Sequence, residues 1–162
     1  MREERVRMLS EGVVAGLIGY LTVALVFAGA NLIEGRSMFY TAALLGANLF
    51  YGIQDPAQVT ISAQYVFAYN GAHLMVFLGF GLVSAWLASL AERAPQFWYV
   101  ALFFFFFVAF HIVAAMQAVA VPVQNAISGP AIWAAGAAAA LLMAVYLLFA
   151  HPKIRAGESW EG

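Results

Sequence analysis

The chain has 162 residues, 65% of them hydrophobic and only 9% charged, with a formal net charge of −1 and no cysteine. A water-facing domain carries about a quarter of its residues charged, so most of this surface is expected to face lipid, and the length allows one domain over residues 1–162. Disulfides, thiolate metal sites and iron–sulfur clusters are excluded, and with no basic run the chain carries no electrostatic footprint for nucleic acid.

Hydrocarbon about 30 Å thick is crossed by roughly 20 helical residues. Four stretches are apolar over that length, at about 12–33, 69–90, 97–120 and 131–150. None alternates with period two, which argues against a membrane barrel. The expected fold is all-α: an integral membrane bundle of four transmembrane helices.

Span one, GVVAGLIGYLTVALVFAGANLI, carries Gly12-x-x-x-Gly16 and Ala15-x-x-x-Gly19, two overlapping small-residue pairs on one face. Such pairs let membrane helices approach closely, because lipid tails are as apolar as leucine and packing cannot come from hydrophobic expulsion. No strand precedes them, so they are not a nucleotide fingerprint. Ala28-Gly29-Ala30 has the form of a cleavage site. The apolar run exceeds a usual signal peptide's, however, and Glu3, Glu4 and Glu11 dilute its basic lead, so span one is expected to be retained. Asn31, Glu34, Gly35 and Arg36 close the span and are expected to cap it and orient the first loop. An exposed Glu34–Arg36 pair would contribute little.

That loop contains MFYTAALLGANLFYG at 38–52, apolar but too short to cross, which predicts an interfacial or re-entrant helix. DPAQVTISAQ after it is polar and turn-prone. Span two offers Gly81-x-x-x-Ala85 and leads into AERAPQ, a tight connection in which Pro95 stops the helix. Spans two and three are therefore an antiparallel pair. Span three has phenylalanine at 103–107 and 110, on every face of the helix, so some rings must point at lipid or at another subunit. Span four, WAAGAAAALLMA, is a strip nearly free of side chains. Spans one, two and four are expected to meet through their small-residue faces.

Arg2, Arg5, Arg7, Arg93, Lys153 and Arg155 fall on one side of the membrane and Arg36 alone on the other. The positive-inside rule places both termini in the cytoplasm. Tyr65, Tyr69 and Trp133 then mark the outer boundary, and Trp98 and Tyr99 the inner one.

Intramembrane polar groups are costly and point to function. Here they are Thr22, Asn31, Asn70, His73, Ser84, His111 and Gln117, with no ionised group at mid-depth. A coupled transporter would hold a carboxylate there, so a small transporter or channel ranks last. Counting along the helices puts His73 roughly 6 Å below the outer face and His111 roughly 9 Å below it. Rings at similar height on adjacent helices allow three arrangements: a hydrogen-bonded pair, bis-histidine ligation of haem b, or contacts to a quinone or other ligand. Neutral imidazoles satisfied by Asn70, Gln117, Asn31 or backbone meet the same chemistry. No arginine pair is placed for haem propionates. His151, in FAHPKI, is expected to sit at a helix end against the dipole.

The segments AGLIGYLTVALVF, NLIEGRSMFYTAALLGANLFYG, YNGAHLMVFLGFGLVSAWL and LLFAHPKI together resemble a group of uncharacterised bacterial four-helix membrane proteins. The resemblance covers most of the chain and implies a four-span inner-membrane protein, with no activity attached. In that group an acid commonly stands where this chain has Asn31, and a proline near Phe39–Tyr40; this chain departs at both places. No nucleophile–base pair, zinc motif or phosphate loop is visible. The role expected from the sequence is an accessory or scaffold subunit of a larger inner-membrane complex, a respiratory one among the options, or a homo-oligomer. A small b-type cytochrome or quinone-binding protein using His73 and His111 is the alternative.

Overall fold

The computed structural model describes residues 2–94 and 96–156, so the helix-stopping role read for Pro95 lies outside the described residues. Among the described residues seven α-helices occur in order: α1 (Arg2–Ile33), α2 (Tyr40–Tyr51), α3 (Ala63–Arg93), α4 (Phe97–Ala115), α5 (Val121–Asn125), α6 (Gly129–Ala150) and α7 (Pro152–Ala156). No strand occurs among the described residues. Four helices, α1, α3, α4 with its 3-10 extension to Ala118, and α6, are long and apolar enough to cross a membrane, which fits a multi-pass membrane protein.

Two boundaries differ from the sequence expectation. Helix α1 starts at Arg2 rather than near residue 12, and α3 at Ala63 rather than near 69. Neither lead, residues 2–11 or 63–68, contains Gly or Pro, so each helix extends upstream of the expected span. At 1.5 Å per residue, the 32 residues of α1 and 31 of α3 extend about 48 and 46 Å, well beyond the hydrocarbon. Their ends therefore reach headgroup depth.

The four long helices form a ring in which α1 touches α3 and α6, and α4 touches α3 and α6. The α1–α3 contact is nearly backbone on backbone. A Cβ placed on Gly81 would overlap the carbonyl oxygen of Gly12 and the amide of Gly16. One on Gly12 would lie 2.8 Å from the Cα of Leu82, and one on Gly16 2.6 Å from the Phe77 carbonyl. Gly19, one turn on, leaves room for the Phe77 ring and the Met143 sulfur, and Ala85 is fully buried. The small-residue strip of α6 is shared differently from the expectation. Gly136 abuts the Ala109 carbonyl of α4, and α3 meets α6 only slightly. In a four-membered ring α3 and α6 are diagonal neighbours, so the strip serves α1 and α4.

On α4 the phenylalanines divide: Phe104 and Phe105 pack against the core, whereas Phe103 is 72% exposed and Phe106, Phe107 and Phe110 are about half exposed. Helix α2 is too short to cross; it lies against α3, with Gly46 over the Tyr65 carbonyl and Leu44 fully buried. Left-handed glycines set the chain direction at both ends of this segment. Gly35 (φ 71°) closes α1, with the Arg36 amide donating to Asn31 O at 2.8 Å and the Gly35 amide to Leu32 O at 3.1 Å, a Schellman pattern. Gly52 (φ 71°) closes α2.

Asn31 orients the loop through its side chain as well, accepting from Thr41 Oγ1 at 3.0 Å and donating to the Met38 carbonyl. Asn48 Oδ1 accepts the Ala120 amide at 3.2 Å, and Arg36 donates to the Ala126 carbonyl at 2.7 Å. These bonds tie the first loop to the α4–α6 connection.

Gly81→Val is expected to disrupt the α1–α3 contact, costing on the order of 3 kcal/mol or preventing folding, because backbone rather than a flexible side chain fills the space. Gly79→Ala on the same helix meets nothing within 4 Å and should melt at or above the wild-type temperature. Thermal unfolding in detergent distinguishes the two.

Candidate functional site

Gly19 is the last glycine of α1 at which an added Cβ would strike a neighbour, whereas one on Gly29, ten residues on, would meet nothing within 4 Å. A cavity of about 490 Å³ opens there between α1, α2 and α3. Its wall is mostly apolar, with Phe27, Met38 and Phe67 among its residues, and its polar groups are Tyr20, Thr41, Tyr69, Asn70 and His73. This size and lining are typical of small-molecule sites. Leu25 and Phe67 on its wall are well exposed on the outer surface of the bundle, so the cavity opens sideways.

The polar groups fall into two sets. Tyr20 donates its hydroxyl to Asn70 Oδ1 at 3.0 Å, and Asn70 Nδ2 donates to the Val66 carbonyl at 2.8 Å. Thr41 is held by Asn31. His73 and Tyr69 have ring contacts only: His73 stacks on Tyr69 at 5.1 Å (25°), meets Tyr20 at 5.9 Å and lies edge-on to Phe77 at 4.9 Å. Neither the His73 ring nitrogens nor the Tyr69 hydroxyl has a hydrogen-bond partner among the described residues. The cavity thus holds an oriented imidazole and a phenol beside an apolar space.

His111 is not part of this wall. Its Nδ1 bonds the Val108 carbonyl one turn earlier, and its ring packs against Phe77 at 5.2 Å and Phe80 at 4.8 Å. Of the arrangements open to His73 and His111, a direct hydrogen bond between the two rings does not occur among the described residues; each ring packs against fully buried Phe77. Sequence counting gives depth but not the rotation of a helix, and rotation is what sets Phe77 against both rings. Gln117 lies exposed in the 3-10 turn after α4 and joins no site.

A second polar assembly gathers at the opposite end of the ring. His151 is 2% exposed, with Nε2 3.2 Å from Glu11 Oε2 and Nδ1 3.1 Å from Glu92 Oε2. These are ion-pair distances, although neither ring N–H points along a hydrogen-bond line to its carboxylate. Arg7 Nε bonds Glu11 Oε1 at 2.7 Å, and Arg7 Nη2 donates to the Ala150 carbonyl at 2.6 Å. His151 stands at the C-terminal end of α6, as expected, and its ring has carboxylate neighbours besides. Arg7 takes the end carbonyl of α6, and His151 turns inward between two carboxylates. The two carboxylates lie at opposite ring nitrogens and cannot share one ion with the ring. Among the described residues no group of three His, Asp or Glu side chains is placed to hold a metal.

Comparison with protein-family models, with curated proteins and with solved structures finds no match to this chain.

His151→Leu would leave Glu11 and Glu92 facing each other with no group between them at a buried position. The expected cost is on the order of 3 kcal/mol, read as a lowered melting temperature in detergent. Replacing Glu11 and Glu92 by Gln in the same chain should recover part of it.

Proposed function

We propose that the chain is a small integral membrane protein that binds a flat, lipophilic, carbonyl-bearing ligand of the quinone class in the lateral cavity beside His73. The observation that carries this reading is the pair of unpartnered polar groups, the His73 imidazole and the Tyr69 hydroxyl, on a mostly apolar cavity of about 490 Å³. Both residues are partly buried and face the cavity, and two polar groups without a protein partner beside a space large enough for a ring suit a ligand that supplies acceptors. The wall has no charged residue, which favours a neutral headgroup over an anionic one. The sideways opening suits a ligand that reaches the site through the bilayer. This is the quinone arm of the two-histidine reading, now resting on His73, Tyr69 and the Tyr20–Asn70 bond without His111.

We place the protein in a bacterial inner membrane with both termini cytoplasmic, on the strength of the six-to-one distribution of basic residues. Titration of the purified protein in nanodiscs with a decyl-benzoquinone, monitored by quenching of intrinsic fluorescence, should show saturable binding. His73→Leu should weaken it about tenfold, as expected for loss of a buried hydrogen bond, without lowering the melting temperature. Unchanged affinity in His73→Leu would overturn the reading.

A second reading, an accessory subunit of a larger membrane complex, draws on the face of α4. Phe103, Phe106, Phe107 and Phe110 are exposed there beside Trp133, whose ring meets Phe110 at 5.6 Å. Aromatic surface of this density suits a protein neighbour or a second copy as well as lipid. A photo-crosslinking residue at position 106 should give a discrete adduct in intact membranes, whereas one at Leu25, across the ring, should not.

A further inference from the structure

The ionic assembly around His151 borders a second cavity, of about 770 Å³, at the end of the bundle where the basic residues gather. Its wall is divided by chemistry. Trp86, half exposed, and Leu90 form an apolar floor toward the membrane-spanning part of α3. Charged residues of both signs form the upper part, and most of them are already engaged. Arg7 is bonded to Glu11, and Arg93 lies 3.5 Å from Glu4. Glu92 Oε2 lies 3.1 Å from His151 Nδ1. Among the described residues, Arg5 and Lys153, both exposed and both lining this cavity, have no ion-pair partner. Glu92 Oε1 likewise accepts no hydrogen bond among them, and the Glu92 side chain is 20% exposed.

The cavity therefore offers two cations, a carboxylate oxygen and an apolar floor. We propose that it binds the headgroup of a zwitterionic phospholipid with a primary ammonium, of the phosphoethanolamine class. The phosphate meets Arg5 and Lys153, the ammonium donates to Glu92 Oε1, and the glycerol end of the acyl chains lies on Trp86 and Leu90. Charge complementarity selects this class. A purely anionic headgroup would bring its phosphate near Glu92 with nothing to offset the repulsion, and a quaternary choline has no N–H to donate. Indole and basic side chains at headgroup depth are the usual companions of such a site. The site is independent of the His73 cavity, which lies toward the other end of α1 and α3.

The test uses the full chain in phosphatidylcholine nanodiscs supplemented with equal fractions of phosphatidylethanolamine, phosphatidylglycerol or further phosphatidylcholine, with soluble phosphoethanolamine as a separate arm. Melting temperature and lipid retained in native mass spectrometry are read for the wild type and for the Arg5→Gln, Lys153→Gln double variant. Phosphatidylethanolamine is expected to raise the melting temperature above the other two lipids and to be retained. The double variant should retain about tenfold less of it while melting as the wild type does in phosphatidylcholine alone. Soluble phosphoethanolamine should have a weaker effect, since it cannot use the apolar floor. Equal shifts for all three lipids, a larger shift with phosphatidylglycerol, a full effect from the soluble headgroup, or undiminished retention in the double variant would each overturn the proposal. A double variant that melts lower than the wild type in phosphatidylcholine alone would also count against it, because the two side chains would then be structural.

Discussion

The arrangement rests on one contact, the backbone-to-backbone meeting of α1 and α3 at Gly12, Gly16 and Gly81. Between helices surrounded by lipid, association comes from close packing rather than from expulsion of apolar surface. Three residues without Cβ atoms bring the chains together where any larger residue on Gly81 would strike backbone. Once α1 and α3 meet there, Gly19 admits the Phe77 ring and the Met143 sulfur, which brings α6 into the ring of helices. The same contact defines where it stops. From Tyr20 onward the Tyr20–Asn70 bond links α1 to α3, and α2 closes a third side of the cavity between them. The lateral cavity thus begins beyond the glycine contact.

The two ends of the bundle treat polarity differently. At one end, Arg7, Glu11, Glu92 and His151 compensate one another and join α1, α3 and α6. At the other, Asn31, Thr41, Asn48 and Arg36 spend their hydrogen bonds on loop backbone and on each other. His73 and Tyr69 stand apart from both patterns. Their rings are well packed and their polar atoms are not, which leaves orientation without satisfaction and is the physical basis for reading a ligand site there.

Much of this was legible in the sequence, for reasons that can be stated residue by residue. The four apolar stretches are long and uninterrupted, and the glycine spacing of span one corresponds to the face that meets Gly81. Asn31, Glu34, Gly35 and Arg36 marked the close of span one, and α1 ends at Ile33. Other features depend on helix rotation, which hydrophobicity of this uniformity does not encode. The packing of Phe77 against both histidine rings is one such feature, and the facing of Gly136 toward α4 is another. The His151 assembly was missed although a signal existed. Glu11, Glu92 and His151 all fall on the same side of the membrane by topology, and Arg7 and Glu11 are spaced i,i+4. Read together they point to one ionic cluster; read singly each looks like a boundary residue.

The most direct test of ligand binding in the lateral cavity is to map where a ligand attaches. A photoreactive benzoquinone analogue, irradiated with the protein in nanodiscs and located by peptide mass spectrometry, should label residues within 20–28 and 66–74, with labelling suppressed by excess unmodified quinone. Labelling concentrated on the exposed phenylalanines of α4, or spread over all four long helices and insensitive to competitor, would contradict the account.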